Sequence, residues 1–327
     1  MATYKDIKGT SIQVVSSDPS NPVVGQIWYN TTSQTLKGFA NLSAAWATGG
    51  NLGTARNKLA GCGTQTAGLG FGGYSPSIPP TTSTEEYNGS AWTAGGNLPV
   101  AKDSLAGAGT QTAALGIGGG IQAPPYKSNS TEEYNGTAWT GGGNLPREQL
   151  KGMACGTQTA GLYFGGSAPP GSHAAATYEY NGTAWTDGGN LTTGRKDGAG
   201  AGTQTAGLAF GGDTGSYSNA TEEYNGTAWT NGGNLNAARS NLAGDGAQTA
   251  ALAFGGGYPI VGATELYDGS SWTNTSTMNL ARRYLAGAGT QAAGLAFGGT
   301  LVDNTERTAA TEEFSGGGPA TVTLSGS

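Results

Sequence analysis

The chain has 327 residues, a formal net charge of −6, 61 glycines, two cysteines and one histidine. An acidic balance without any lysine-arginine cluster excludes a nucleic-acid surface, which needs a basic face. No apolar run approaches the roughly 18 residues of a membrane span, so no membrane insertion is expected, and Met1-Ala2-Thr3-Tyr4-Lys5 opens neither a secretory leader nor a lipidation motif.

The first segment, residues 1–40, carries an apolar strand from Pro22 to Thr31, a polar turn and a second strand from Thr35 to Phe39. A free two-stranded ribbon tolerates little exposed apolar surface, so Ile27, Trp28, Tyr29, Leu36 and Phe39 are expected to dock on something. Ser11 to Val15 is a candidate further strand. The hairpin resembles one found in tail-fibre and other virion proteins of tailed bacteriophages, over under a tenth of the chain. Three partners are open for those five side chains: the last unit of the repeat array that follows, a sister copy in a homo-oligomer, or another virion protein, the last being what the resemblance implies.

Six tryptophans follow, Trp46, Trp92, Trp139, Trp185, Trp229 and Trp272, spaced 43 to 47 residues apart in near-copied phrases such as Asn225-Gly226-Thr227-Ala228-Trp229. A unit of this size holds about four short strands and cannot bury its apolar face alone, so neighbours must stack. Asn-Gly after Tyr87, Tyr134, Tyr180 and Tyr224 predicts a two-residue type I′ hairpin between the third and fourth strands. Small and large residues alternate in Ala206-Gly207-Leu208-Ala209-Phe210, which suits a packed strand ended by Gly211-Gly212. No segment keeps a helical apolar spacing, and glycine recurs at fixed slots, densest in the first strand of each unit, where strands converging on an axis leave no room for bulk.

Gly72-Gly73, Tyr87 and Trp92 resemble the kelch repeat of β-propellers, and the pattern spans residues 46–314 in six copies. The resemblance implies an all-β fold: a six-bladed kelch-like propeller of four-stranded blades over residues 41–314, followed by a Gly-rich tail at 315–327. Phe314 has no tryptophan strand after it and Trp46 has no strands of its own unit before it, so the Trp46 strand is expected to complete blade six and close the ring.

Chemistry is sparse in this framework. Cys62 and Cys155 occupy one slot of two units and are expected to be free thiols. With His173 alone among histidines, no metal, cofactor or Ser-His-Asp set is expected. Kelch-type copper oxidases need more ligands than this chain offers. The paired glutamates, such as Glu85-Glu86, point to opposite faces of a strand and cannot form one acid-base couple.

Aligned units place Arg56, Lys102, Gln149, Arg195, Arg239 and Arg282 just before each first strand. The five cations read either as an Arg-Glu ring bracing the blades or as a mouth for anionic ligands. The loops between second and third strands diverge most, and they carry Tyr74, Tyr126, His173, Tyr217 and Tyr258 beside stiffening prolines such as Pro79-Pro80, Pro124-Pro125 and Pro169-Pro170. Variation on one face of a uniform scaffold marks a recognition surface. The leading expectation is a non-enzymatic bacteriophage virion protein, made in the host cytoplasm, whose loops recognise a host-surface glycan or protein. A structural capsid or tail decoration protein is the alternative. A glycan-active propeller would need carboxylates at the mouth, where only Asp213, Asp245 and Asp303 add to the repeated glutamates.

Overall fold

The computed structural model describes residues 12–75, 80–168, 171–301 and 306–324. The chain divides into two compact units, one of residues 45–315 and one of residues 1–44 with 316–327. The described residues contain strands and no helix.

Among the described residues the larger unit contains six four-stranded antiparallel sheets, an arrangement consistent with a β-propeller, with a small extra pair, Ser167–Ala168 and Ser172–His173. Sheet one runs Ala60–Thr64, Ala67–Phe71, Thr84–Tyr87 and Trp92–Ala94. Sheets two to six begin with Ala106–Thr110, Met153–Thr157, Ala199–Thr203, Ala243–Ala247 and Ala286–Gly289. In sheet six the outermost strand is Ala45–Thr48, where Trp46 pairs with Phe314. Each first strand lies against the next, and Ala286–Gly289 lies against Ala60–Thr64.

Packing explains the glycine slots. A Cβ on Gly61 would sit 2.6 Å from the Phe297 ring and 2.7 Å from the Gly287 carbonyl of the neighbouring sheet, so no other residue fits without displacing backbone. Between sheets, a second-strand aromatic of one meets the tryptophan of the next. Phe71 lies 4.8 Å from Trp139, Phe164 4.8 Å from Trp229, Phe210 4.9 Å from Trp272 and Phe297 4.7 Å from Trp92. Tilted ring pairs add about 0.5–1.5 kcal/mol each beyond their area burial.

Polar side chains repeat at every join. The Gln111 amide donates to the Gly68 and Tyr87 carbonyls of the preceding sheet, and Gln65 does the same to Gly294 and Phe314 of sheet six. The Trp139 indole donates to Thr84, and the Trp92 indole to Thr311. The Tyr134 hydroxyl donates to Glu86 at 2.6 Å, and the Tyr87 hydroxyl to Glu313. Burial first, then the Glu86 carboxylate, pushes the Tyr134 hydroxyl up to about 12, so it remains a donor at neutral pH.

The Asn-Gly connection differs from the two-residue type I′ turn expected. Tyr87 pairs with Trp92, leaving four residues between them. Gly89 has φ +89°, but Asn88 is not among the positive-φ residues. Instead its side-chain carbonyl accepts the amides of Ser90 and Ala91. An Asx-type bond stabilises the turn at ordinary backbone angles.

The smaller unit is a four-stranded sheet ordered Gln13–Val15, Ile27–Asn30, Thr35–Leu42 and Gly318–Thr323. The first pair is parallel and the other two antiparallel. The expected Gly-rich tail is therefore partly a strand, because alternating Pro319, Thr321 and Thr323 pair with Asn41, Phe39 and Lys37. Asp18 accepts hydrogen bonds from Lys37, Trp28 and Asn30 and is held down to about 2, chiefly by Lys37. Trp28 is buried, so of the five attachment residues it is not exposed to a partner. Tyr29 is exposed, and Ile27, Leu36 and Phe39 are half-buried. Ser11 lies outside the described residues, although a strand begins at Gln13.

Candidate ligand-binding face

The cation slot is internal. Arg56, Lys102, Arg195, Arg239 and Arg282 are at most 2% exposed, and Gln149 is buried with them. Each cation meets the first glutamate of its own sheet: Arg56 with Glu85 at 2.8 Å, Lys102 with Glu132 at 2.6 Å, Arg195 with Glu222 at 2.6 Å, Arg239 with Glu265 at 2.7 Å and Arg282 with Glu312 at 3.4 Å. The Arg56 guanidinium also donates to the Gly72 and Ser83 carbonyls, while its own backbone carbonyl accepts the Gly299 amide of sheet six. The residue therefore ties two sheets. Burial lowers the Lys102 ammonium, opposed by the Glu132 charge. These five side chains are not presented to a ligand, because desolvated groups already paired with carboxylates and carbonyls have little left to offer one.

Two residues beyond that slot lies a ring of different character. Lys58, Ser104, Lys151, Asp197, Asn241 and Tyr284 all adopt positive φ, between 53° and 63°. Their backbones form a head-to-tail cycle: the amide of Lys58 donates to the Tyr284 carbonyl, Ser104 to Lys58, Lys151 to Ser104, Asp197 to Lys151, Asn241 to Asp197 and Tyr284 to Asn241, at 2.7 to 2.9 Å. Left-handed angles cost a side-chain-bearing residue about 1–2 kcal/mol relative to glycine. In a chain this rich in glycine, six varied side chains are kept where glycine is easiest, and such outliers point toward function. They line a small cavity of ≈ 100 Å³. The sequence signal is a slot that differs among the copies, and its left-handed backbone is not legible there because none of the six residues is glycine.

The loop residues stand beside this rim. Tyr126 and Tyr258 are each 59% exposed, Tyr217 is 41% exposed and Tyr74 is half-buried. Tyr74 and Tyr126 line, with Lys58, Ser104 and Lys151, a depression of ≈ 350 Å³, a volume within the usual range of small-ligand sites. His173 is partly exposed and places Nε2 3.4 Å from Asp213, which also faces Lys196 at 3.6 Å. Pro79, Pro169, Pro170 and Asp303 lie outside the described residues.

Arg283 and Arg307 join this face without having been singled out in the sequence. Arg283 lies 5.2 Å from the Tyr258 ring and 5.3 Å from the Tyr284 ring, and Arg307 lies 4.6 Å from the Tyr74 ring. Lys58 sits between Tyr284 and Tyr74, at 5.6 and 5.9 Å.

Below the rim, the first strands enclose a narrow space of ≈ 90 Å³ lined by Cys62, Cys155, Ala108, Ala201 and Asp245. Both thiols are free, and burial pushes them up, the charge of Asp245 adding to the effect. Burial raises Asp245 to about 7, opposed by the amides of Gly246 and Gly289. No group of three or more His, Cys, Asp or Glu among the described residues is arranged to hold a metal ion. No protein-family model matches the chain, and no curated protein matches its sequence.

Proposed function

We propose that the chain is a non-enzymatic virion protein of a tailed bacteriophage, a tail fibre or similar appendage, built as a closed six-bladed kelch-like β-propeller whose loop face recognises a host surface. The observation that carries the recognition reading is the coincidence, on one rim, of the divergent loops, the exposed Tyr126, Tyr217 and Tyr258, and six left-handed positions that all keep side chains. Closure is supported by the Gln65, Trp92 and Tyr87 bonds to sheet six, which repeat those at the other joins. A non-enzymatic role is supported by the fate of the repeated carboxylates. In sheet two, Glu132 is bound to Lys102 and Glu133 accepts the Tyr180 hydroxyl, so both are occupied in structure. The virion reading rests on the hairpin resemblance.

Exposed Val14, Val23 and Val24 in the smaller unit favour the second reading, a capsid or tail decoration held by neighbouring subunits. Gold-labelled antibody on particles from the source separates the two. Label at tail tips or fibres is the expected result, label over the capsid selects decoration, and unlabelled particles overturn both.

A further inference from the structure

We propose that the rim carries an oxyanion site centred on Arg283, Arg307 and Lys58, and that the ligand of the loop face is a saccharide bearing carboxylate or phosphate groups. This rests on the recognition reading above and names its ligand class.

Tyr258, Arg283, Tyr284, Lys58, Tyr74 and Arg307 form a continuous arc in which aromatic rings and cations alternate, each neighbour 4.6 to 5.9 Å from the next. None of the three cations has a carboxylate within salt-bridge distance among the described residues, whereas the five slot cations each do. Arg283 is only 6% exposed, and the Nε atoms of Arg283 and Arg307 are buried without a hydrogen-bond partner, as are those of the four slot arginines. What sets these two apart is the missing carboxylate and the flanking tyrosine rings.

Burying a guanidinium without a counter-charge is costly, and stacking against tyrosine faces recovers part of that cost, about 0.5–2 kcal/mol per contact. Stacking occupies the flat faces of the group and leaves the terminal guanidinium N–H groups, which fork onto a carboxylate or phosphate. The rings meanwhile offer flat apolar surface to the C–H side of a sugar. A positive arc on a chain of net charge −6 is a local feature suited to selecting an anion.

The test is a glycan array of matched neutral, carboxylated and phosphorylated saccharides, probed with the full chain at low and high salt. Signal confined to charged members and falling as salt rises is expected, and the carboxylated and phosphorylated members identify the source of the oxyanion. Arg283→Met with Arg307→Met keeps apolar bulk beneath the rings and removes both charges. That variant should lose at least tenfold in affinity, while Arg147→Met, an exposed cation outside the arc, should not. A melting curve checks that each variant is folded. Binding to neutral members alone, full affinity in the double variant, or no glycan signal at all overturns the proposal. With tail-tip label on particles, any of these results leaves host recognition standing and rejects only the acidic ligand.

Discussion

Tyr267 donates its hydroxyl to Glu223 of the preceding sheet, yet at the next join the repeat puts Phe314 opposite Leu266. Donor and acceptor are lost together, as expected where a buried hydroxyl without its partner costs more than an apolar pair. We expect Phe314→Tyr and Leu266→Glu each to destabilise the chain and the double variant to recover, with a coupling of about 1–3 kcal/mol in urea unfolding. Additive effects would disprove the pairing. Sheet three makes a parallel exchange: Gln149 replaces the cation, Tyr178 the glutamate, and Tyr163 stands where the other sheets carry Gly70, Gly116, Ala209, Ala253 and Ala296. Single-residue slots were legible in the sequence because they repeat. The Arg-Glu contact was one of two readings of the cation slot, but that each cation meets the glutamate of its own sheet was not legible, since the two lie about thirty residues apart in the chain, as Lys102 and Glu132 do.

The strand Ala45–Thr48 is contributed from the opposite end of its unit to the three strands it joins. Its Trp46 ring lies 5.2 Å from Phe254 and 5.1 Å from Phe314, and its indole donates to Thr264 at 3.0 Å. Replacing Trp46 by alanine should therefore lower stability by about 3–5 kcal/mol, as for other buried aromatics, measured by thermal or urea unfolding. A loss below about 1 kcal/mol would mean that this strand is not an integral part of sheet six. Strand order was readable from unmatched halves of a repeat. The turn chemistry and the strand Gly318–Thr323 were not: Asn88 closes its turn through its own side chain, and a short Gly- and Pro-containing strand shows its pairing only beside Thr35–Leu42.

In the larger unit the slot cations are paired with carboxylates inside the sheets, and Lys151 and Lys196 are paired with Asp197 and Asp213 at the rim. Lys58, Arg283 and Arg307 have no carboxylate partner among the described residues, and Asp245 lies in the narrow space between the first strands. Burial raises the Asp245 carboxyl from the ordinary aspartate 3.8 to about 7, so the folded chain holds the proton that the unfolded chain releases. Stability attributable to this site is highest below pH 4, falls as pH rises towards 7, and stays low above it. Asp245→Ala, which copies Ala108 and Ala201, should stabilise more at pH 8 than at pH 5, by about 1–3 kcal/mol after allowing for water access. An equal gain at both pH values would show that the carboxyl titrates normally. The array itself was plain in the tryptophan spacing, whereas the rim became visible only once six separate segments were brought side by side. Their head-to-tail cycle of amides has one more consequence. A linear stack of repeats frays from its terminal member, but a circle of hydrogen bonds has no first or last bond. Deuterium should therefore enter the amides of Lys58, Ser104, Lys151, Asp197, Asn241 and Tyr284 at a common slow rate, although they stand beside an open mouth.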